Sequence, residues 1–182
     1  MKAMVLTDLN AMEMAEVEDV RVSADTDVLL SVGPVGICGS DVHYYESGRI
    51  GSQVVEYPYR VGHEFAGTAL EVGKGVTRIK PGDRVAVDPA MPCYRCDQCK
   101  AGREHTCRNL RFLGCPGQAE GCLSEYIVMP EGSCFRVGDD ISLEHAAIVE
   151  PLSIGVYSVV LAGSVKGARI GILGCGPIGL CV

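Results

Sequence analysis

The segment that decides the fold runs from Glu64 to Asp88 and reads EFAGTALEVGKGVTRIKPGDRVAVD. Its two apolar runs, 64–72 and 84–88, are separated by the turn formers Gly73-Lys74-Gly75 and Pro81-Gly82-Asp83. Similar short runs occur at residues 2–6, 27–32 and 123–129. Many short strands divided by turn signals are typical of an all-β barrel or sandwich. The sequence therefore predicts a mainly β domain.

Two helical segments interrupt this β pattern. The first is short and spans Ser40 to about Glu46. The second is long, from Ser142, which is able to cap its start, to about Ala162. Pro151 lies inside the second segment, and it is a point where a helix kinks or restarts because proline lacks the backbone N–H.

The pattern changes after Gly167. Ala168 to Leu173 predicts a buried parallel strand, and the turn Gly174-Cys175-Gly176-Pro177-Ile178-Gly179 follows at once. A strand, a glycine-rich turn and a helix start form the opening of an α/β dinucleotide-binding domain. We therefore predict a catalytic domain over residues 1–150. Residues 151–182 are predicted to hold a linking helix and the first strand and turn of a truncated Rossmann NAD(P)-binding domain.

The composition argues against two classes of partner. The net charge is −7, and the 16 Lys and Arg residues are scattered, so we expect no nucleic-acid binding. The longest apolar stretch, residues 146–162, contains Glu150 and Pro151 and is too short for a membrane span. The N-terminus carries no apolar run of signal-peptide length. We expect a soluble, cytoplasmic protein.

Four of the ten cysteines, Cys93, Cys96, Cys99 and Cys107, follow the spacing C-x2-C-x2-C-x7-C. Four thiolates brought together by short loops suit the tetrahedral preference of zinc, and a closed four-sulfur site is structural. An iron–sulfur cluster is the rival, but in the ferredoxin run the fourth cysteine follows after three residues and precedes proline. Here Arg108 follows it. Four unrelated thiols would need three coincident spacings, so the pattern favours structural zinc.

A second, dispersed set consists of Cys38, His63, Glu64 and Glu150, each in or at the edge of a segment that contains glycine or proline. Taken singly, such residues are more often core or surface groups than ligands. Together they offer one thiolate, one imidazole and two carboxylates, which suit a catalytic zinc with an open position. Such a zinc would promote ionisation of an alcohol hydroxyl, and hydride would pass to a nicotinamide.

The proton released from such an alcohol needs a route to solvent. Ser40 is a candidate relay hydroxyl, and His43 is a candidate for the last transfer because imidazole side chains commonly serve as proton shuttles. Ser40 as a helix N-cap is equally compatible with the local sequence. Asp41 is either a carboxylate that orients His63 or a favourable acid in the first helical turn.

The glycine-rich turn supplies the candidate cofactor-binding residues, Gly174, Gly176, Pro177, Ile178 and Gly179. Backbone amides of such a turn approach a pyrophosphate at a helix N-terminus. The acidic residue that selects NAD over NADP is expected about twenty residues further on, past Val182.

The chain resembles the medium-chain dehydrogenase/reductase superfamily over essentially its whole length, and its polyol branch, the sorbitol and xylitol dehydrogenases, most of all. The resemblance is carried by residues 36–44, 48–51, 61–67, 80–85, 149–153, the four cysteines and the glycine turn. It implies a barrel resembling the small chaperonin subunits (GroES-like), joined to a Rossmann domain. It also implies a zinc-dependent oxidoreductase that oxidises a secondary alcohol of a polyol to a ketone with NAD(P), NAD being favoured.

The same resemblance implies roles for individual residues. Cys38 and His63 match zinc ligands, while Glu150 stands where simple alcohol dehydrogenases have a cysteine. In the polyol branch Glu64 ligates while Glu150 holds the zinc-bound water, or the two exchange. Tyr44 and Phe112 match residues that line the polyol cleft, and Ser40 and His43 match the relay.

Two alternatives remain at this point. One is a dehydrogenase of threonine, butanediol or a simple secondary alcohol, because some animal sorbitol dehydrogenases lack the complete cysteine set that this chain has. The other is a non-catalytic, zinc-stabilised structural module. The resemblance implies a homotetramer for the full-length protein, and we expect the 182-residue chain by itself to be inactive.

Overall fold

The structure is a computed structural model that describes residues 1–182 as eleven short strands and five helices. The strands are β1 (Lys2–Asp8), β2 (Ala11–Glu16), β3 (Asp27–Gly36), β4 (Arg49–Ile50), β5 (Gln53–Val54), β6 (Glu64–Val72), β7 (Arg84–Val87), β8 (Ala90–Met91), β9 (Arg111–Phe112), β10 (Tyr126–Pro130) and β11 (Cys134–Arg136). The helices are α1 (Gly39–Ser47), α2 (Asp97–Lys100), α3 (Leu143–Ala147), α4 (Val149–Ala162) and α5 (Pro177–Cys181). Single 3-10 turns lie at Glu104–Thr106 and Glu131–Ser133. The prediction of a mainly β domain with short helices is confirmed.

An antiparallel five-stranded sheet forms the centre, in the order β10-β3-β6-β7-β11. Phe65 on β6, Leu30 on β3 and Met129 on β10 have no solvent exposure and pack in one apolar cluster. Burial of apolar side chains on the inner face fixes the register, since a shift by one residue would turn each of them outward. The long pairing between β3 and β6 is therefore strongly specified.

A second apolar cluster joins the β1–β2 hairpin and helix α1 to this sheet. It contains Leu6, Tyr44, Val55, Tyr59 and Val61. Leu6 and Tyr59 exchange backbone hydrogen bonds of 2.7 and 2.9 Å, so the hairpin is held by ladder bonds as well as by packing. This cluster seats Tyr44, on the buried side of α1, close to the loops that follow β5.

Several predicted boundaries were wrong. The strand expected at residues 123–129 begins at Tyr126, and six strands were missed, which are β2, β4, β5, β8, β9 and β11. Strand β2 carries Glu13 and Glu16 and has no buried residue, so it lacks the apolar signal of a strand. Strand β11 is three residues long and pairs only with β7.

The long helix expected over 142–162 is divided at Ile148 into α3 and α4. Ser142 caps α3 as expected, its hydroxyl accepting a 3.3 Å hydrogen bond from the backbone N–H of His145. Pro151 lies in the first turn of α4, where its missing N–H costs nothing. The helix thus restarts just before the proline.

The predicted buried strand at Ala168–Leu173 is absent from the structure. These residues form no ladder, and Ile170 and Leu173 are exposed. The physical reason is that no other strand of the chain lies beside them to share backbone hydrogen bonds. The turn that follows leads into α5, which packs on α4 where Gly155 meets Cys181. A β-carbon at Gly179 would lie 2.0 Å from the carbonyl oxygen of Gly174, so this turn requires glycine there.

None of the helices in the structure has both the length and the apolar character that crossing a membrane requires.

Candidate metal centres and the adjoining cavity

The pairing of β3 with β6 brings Cys38, His63 and Glu64 together. Gly36 ends β3 and pairs directly with Glu64, which begins β6. Cys38 follows just after β3 and His63 just precedes β6, so both lie at the same edge of the sheet. The thiol sulfur, an imidazole nitrogen and a carboxylate oxygen all lie within 4.8 Å of one another. We call this group the first centre.

Gly36 is needed for this approach. A β-carbon at this position would lie 2.5 Å from the Glu64 carboxylate oxygen Oε2 and 3.0 Å from the Glu64 β-carbon. Any larger residue would therefore push the Glu64 side chain away from Cys38 and His63.

Asp41 ties the two loops of the first centre together. Its carboxylate, which is 3% exposed, accepts hydrogen bonds from the backbone N–H of Cys38 at 3.0 Å and of Gly62 at 3.1 Å. Its oxygen Oδ1 lies 3.7 Å from His63 Nδ1, which is too long for a hydrogen bond. Asp41 thus binds the backbone at Cys38 and at Gly62, on either side of the first centre, and does not hydrogen-bond the His63 imidazole. The N-cap of α1 is Cys38, so the alternative of Ser40 as N-cap was wrong.

Asp41 and Cys38 stabilise a positive charge at the His63 imidazole, and a divalent cation bound there would displace the proton that carries this charge. Burial lowers the pKa of the His63 imidazole, but Asp41 and Cys38 outweigh burial and raise the pKa to about 10. The His63 imidazole in turn lowers the pKa of the Cys38 thiol, with a smaller contribution from Ser40 and against the effect of burial. His63 Nδ1 is buried and has no hydrogen-bond partner. A thiolate, an imidazole and a carboxylate at this spacing fit a divalent cation such as zinc.

Glu150 lies near the first centre but outside its 4.8 Å group. It is the second residue of α4 and half-buried. Burial raises the pKa of its carboxyl, the charge of His63 lowers it, and Glu64 raises it further. The Glu150 carboxyl therefore interacts with the charges of His63 and Glu64 from outside the group of three close donors.

A cavity of about 480 Å³, the inner cavity, opens beside His63. Ser40, Tyr44 and Phe112, which the sequence analysis named, line it, and the Phe112 ring meets the His63 ring edge-on with centroids 5.6 Å apart. His43 lies on the exposed side of α1 and does not line this cavity. Further lining residues that sequence reasoning missed are Ile50, Gln53, Leu110, Leu113, Gly114, Cys115 and Gln118.

The four cysteines of the C-x2-C-x2-C-x7-C pattern form the second centre. Their sulfur atoms lie within 4.8 Å of one another. They belong to a loop, the cysteine lobe (residues 93–107), which leaves the sheet after β8 and returns at β9, the two strands pairing with each other. Backbone N–H groups of Cys93 and Asn109 point at Cys107 Sγ, at 3.2 and 3.4 Å.

The thiols of the second centre titrate unequally. The backbone N–H of Arg95 lowers the pKa of Cys93 to about 6, whereas burial and the neighbouring thiols raise the pKa of Cys99 to about 12. Four ionised sulfurs this close would repel one another, and a cation between them would remove this repulsion. The donor set fits a tetrahedral zinc ion.

Comparisons with known proteins agree with this arrangement. Residues 24–139 match the family model described as the alcohol dehydrogenase GroES-like domain. The chain is 42% identical over 180 residues to sorbitol dehydrogenase of Bacillus subtilis, covering 99% of this chain and 50% of that protein. It is 45% identical over 154 residues to probable D-xylulose reductase A of Aspergillus fumigatus, covering 85% and 43%. The chain thus spans about half the length of these relatives.

Two solved structures extend the comparison. Galactitol-1-phosphate dehydrogenase of Escherichia coli superposes with a TM-score of 0.91 at 31% identity, covering 100% of this chain and 51% of that one. The 2R,3R-butanediol dehydrogenase of Bacillus subtilis gives a TM-score of 0.78 at 32% identity, covering 99% and 52%.

Proposed function

Because the chain belongs to the family of alcohol dehydrogenases with a GroES-like domain, we propose that it forms the catalytic domain of a zinc- and NAD(P)-dependent polyol dehydrogenase. The reaction is the oxidation of a secondary alcohol of a polyol to a ketone. The similarity to a sorbitol dehydrogenase and a D-xylulose reductase supports the polyol class. The observation that carries the proposal is the convergence of Cys38, His63 and Glu64 beside the inner cavity.

The first centre holds the catalytic zinc in this proposal. When bound, zinc supplies a Lewis acid that makes an alcohol hydroxyl more acidic, and the nicotinamide accepts the hydride. Cys38, His63 and Glu64 are the ligands, and the position of Glu64 within the 4.8 Å group favours it over Glu150. Glu150, at a greater distance, accepts a hydrogen bond from water or substrate in the site, or exchanges with Glu64.

Ser40 and His43 move the proton. The Ser40 hydroxyl lines the inner cavity, where it accepts the proton of the alcohol while its own proton passes on toward His43. His43 lies three residues further along α1 and is exposed, so it passes the proton to solvent. Tyr44 and Phe112 shape the cavity around the substrate.

Residues 151–182 begin the cofactor domain. Gly174, Gly176, Pro177, Ile178 and Gly179 contact the pyrophosphate of NAD(P), with NAD favoured. The tight approach of Gly179 to Gly174 and the helix start at Pro177 support this role. A homotetramer and a cytoplasmic location stay predictions.

The test is zinc stoichiometry together with turnover in the holoenzyme, the polypeptide in which this chain is continued by its cofactor domain. The wild type is expected to hold two zinc ions per chain, and Cys38→Ala and Cys96→Ala one each, because each variant loses a different ion. Metal analysis by mass spectrometry measures this. A single zinc that only Cys96→Ala removes would favour the non-catalytic structural module. A higher kcat/KM for threonine or 2,3-butanediol than for every sugar alcohol tested would favour the alternative of a threonine or butanediol dehydrogenase.

Asp41→Asn is expected to weaken zinc at the first centre. The amide keeps one acceptor oxygen, so one of the two backbone N–H groups, of Cys38 or Gly62, loses its acceptor and the other keeps only a neutral one. Loss of an outer partner of a metal site typically costs about 10–100-fold in affinity. Competition with a chromophoric chelator measures the change. Asp139→Asn, at an exposed carboxylate, is the control, and equal affinities in the two variants would contradict this role of Asp41.

A further inference from the structure

A loop of residues 114–121, which we call the cavity loop, forms one wall of the inner cavity. Gly114, Cys115 and Gln118 are its members that line the cavity. The loop lies between β9 and β10 and contains no regular element. Its turn is closed by the backbone N–H groups of Gln118 and Ala119, which donate to the carbonyl oxygen of Cys115 at 3.0 and 3.3 Å. The position of the wall must therefore come from contacts with the rest of the fold.

Both ends of the cavity loop lie against residues 60–62, the segment just before the imidazole ligand of the first centre. At its beginning, a β-carbon at Gly114 would lie 2.9 Å from the carbonyl oxygen of Gly62. At its end, the backbone N–H of Gly121 donates to the carbonyl oxygen of Arg60 at 2.7 Å. The wall of the cavity is thus attached to the same segment that carries the imidazole.

The Arg60 side chain adds a second attachment at the end of the cavity loop. Arg60 is only 9% exposed, and its Nε donates to the carbonyl oxygen of Gly121 at 2.6 Å. Its Nη2 lies 3.0 Å from Glu120 Oε2. One guanidinium therefore engages two successive residues of the loop, in a fork that a lysine does not reproduce. Because the Glu120 carboxylate is exposed, the buried bond to Gly121 contributes more than the ion pair does.

The Tyr59 hydroxyl attaches the middle of the cavity loop. It donates to the carbonyl oxygen of Ala119 at 3.0 Å, and the Tyr59 ring is buried in the second apolar cluster. Ala119 follows Gln118, whose side chain is also fixed. Gln118 Oε1 accepts from the backbone N–H of Phe112 at 2.8 Å, and Gln118 Nε2 donates to Cys115 Sγ at 3.1 Å. The side chains that the loop presents to the cavity therefore move only if the loop itself moves.

We infer that Arg60 is a positioning residue, which through Gly121 holds the cavity loop, and with it Cys115 and Gln118, in place beside the first centre. This inference rests on the proposed function, in which the substrate occupies the inner cavity. Arg60 does not line that cavity, so it acts through the loop and touches no substrate. Its loss leaves the zinc ligands in place and loosens one wall. The effect therefore falls on substrate binding more than on the chemical step.

The test compares Arg60→Met with Arg136→Met in the holoenzyme. Methionine keeps an unbranched apolar stem, so packing around the site changes little. Arg60→Met is expected to raise KM for a hexitol or pentitol by about threefold to tenfold, the range that corresponds to one intramolecular hydrogen bond, with kcat and zinc content unchanged. Arg136 is the matched control because its Nε pairs with Asp83 at 3.2 Å, away from the lining of the cavity. A merely structural role would lower the midpoint of thermal unfolding and leave KM unchanged, which would overturn the inference.

A second variant, Tyr59→Phe, removes only the hydroxyl that bonds Ala119 and keeps the buried ring. It is expected to raise KM in the same direction. Hydrogen exchange followed by mass spectrometry is expected to show faster exchange of the Gln118 and Ala119 amides in Arg60→Met and Tyr59→Phe, and wild-type exchange in Arg136→Met. Wild-type KM in both loop variants, or equal exchange of the loop in all three, would overturn the inference.

The same measurements separate this inference from the proposed function. A wild-type holoenzyme that oxidises neither a hexitol nor a pentitol refutes the proposed function, and hydrogen exchange then still decides whether Arg60 holds the cavity loop. A wild type that oxidises them, with KM indifferent to Arg60 and Tyr59, refutes only the positioning role.

Discussion

Cys107→Ala is expected to unfold the cysteine lobe while the central sheet stays intact. The lobe contains one four-residue helix and a single 3-10 turn, so its internal backbone hydrogen bonds are local ones within turns. A structural zinc bound by four thiolates contributes on the order of 10–16 kcal/mol in small zinc domains, which exceeds what those elements supply. Removing the Cys107 sulfur also leaves the N–H groups of Cys93 and Asn109 without their acceptor.

Hydrogen exchange followed by mass spectrometry measures this effect. Amides of the lobe are expected to exchange fast in Cys107→Ala, and those of β3 and β6 to stay protected. Cys175→Ala is the matched control because its thiol is exposed and far along the chain from the lobe. Unchanged lobe protection in Cys107→Ala would mean that packing alone holds the lobe and that the second centre is not structural.

His63→Ala is expected to lower kcat/KM of the holoenzyme by about 10³-fold or more. A metal acting as Lewis acid contributes several kcal/mol to the transition state, and each 1.36 kcal/mol is a factor of ten. Without the imidazole only the Cys38 and Glu64 groups remain within reach of the ion, which is too few for a zinc site. Steady-state kinetics on a polyol measure the loss.

The control for this variant is His105→Ala, at an exposed histidine of the cysteine lobe. It is expected to change kcat/KM by less than about threefold, as surface substitutions generally have small effects. Retention of the second zinc ion in His63→Ala shows that the chain is folded, so that lost activity reports on the site. Activity near the wild-type value with only one zinc left would refute a catalytic role for the first centre.

Some strands of this fold could be predicted from local sequence, and others could not. The strand at Glu64–Val72 was predicted to the residue, because apolar alternation and flanking glycines are local signals. Strand β2 was missed because neither face of it is buried. The buried strand expected at Ala168–Leu173 is absent, since a strand depends on a neighbour that local sequence does not reveal.

Some residues of the candidate site could likewise be predicted from the sequence, and others were missed. The four lobe cysteines were named from a motif whose spacing reflects ligand geometry, whereas Cys38 and His63 were named from a dispersed set and from the family resemblance. Gln53, Cys115 and Gln118 were missed, because they reach the inner cavity from separate loops and belong to no motif. The roles of all these site residues, Glu150 and His43 included, stay predictions.

Because Gly36 pairs directly with Glu64, the first centre can form only when β3 and β6 are correctly aligned. A chain that misaligns β3 and β6 by one residue sends the Glu64 carboxylate to the opposite face and cannot assemble the three donors. Only the correctly paired sheet can therefore bind the ion. Binding would stabilise this sheet over misaligned forms by mass action. A zinc ion with the proposed catalytic role would in this way also favour the correctly paired sheet.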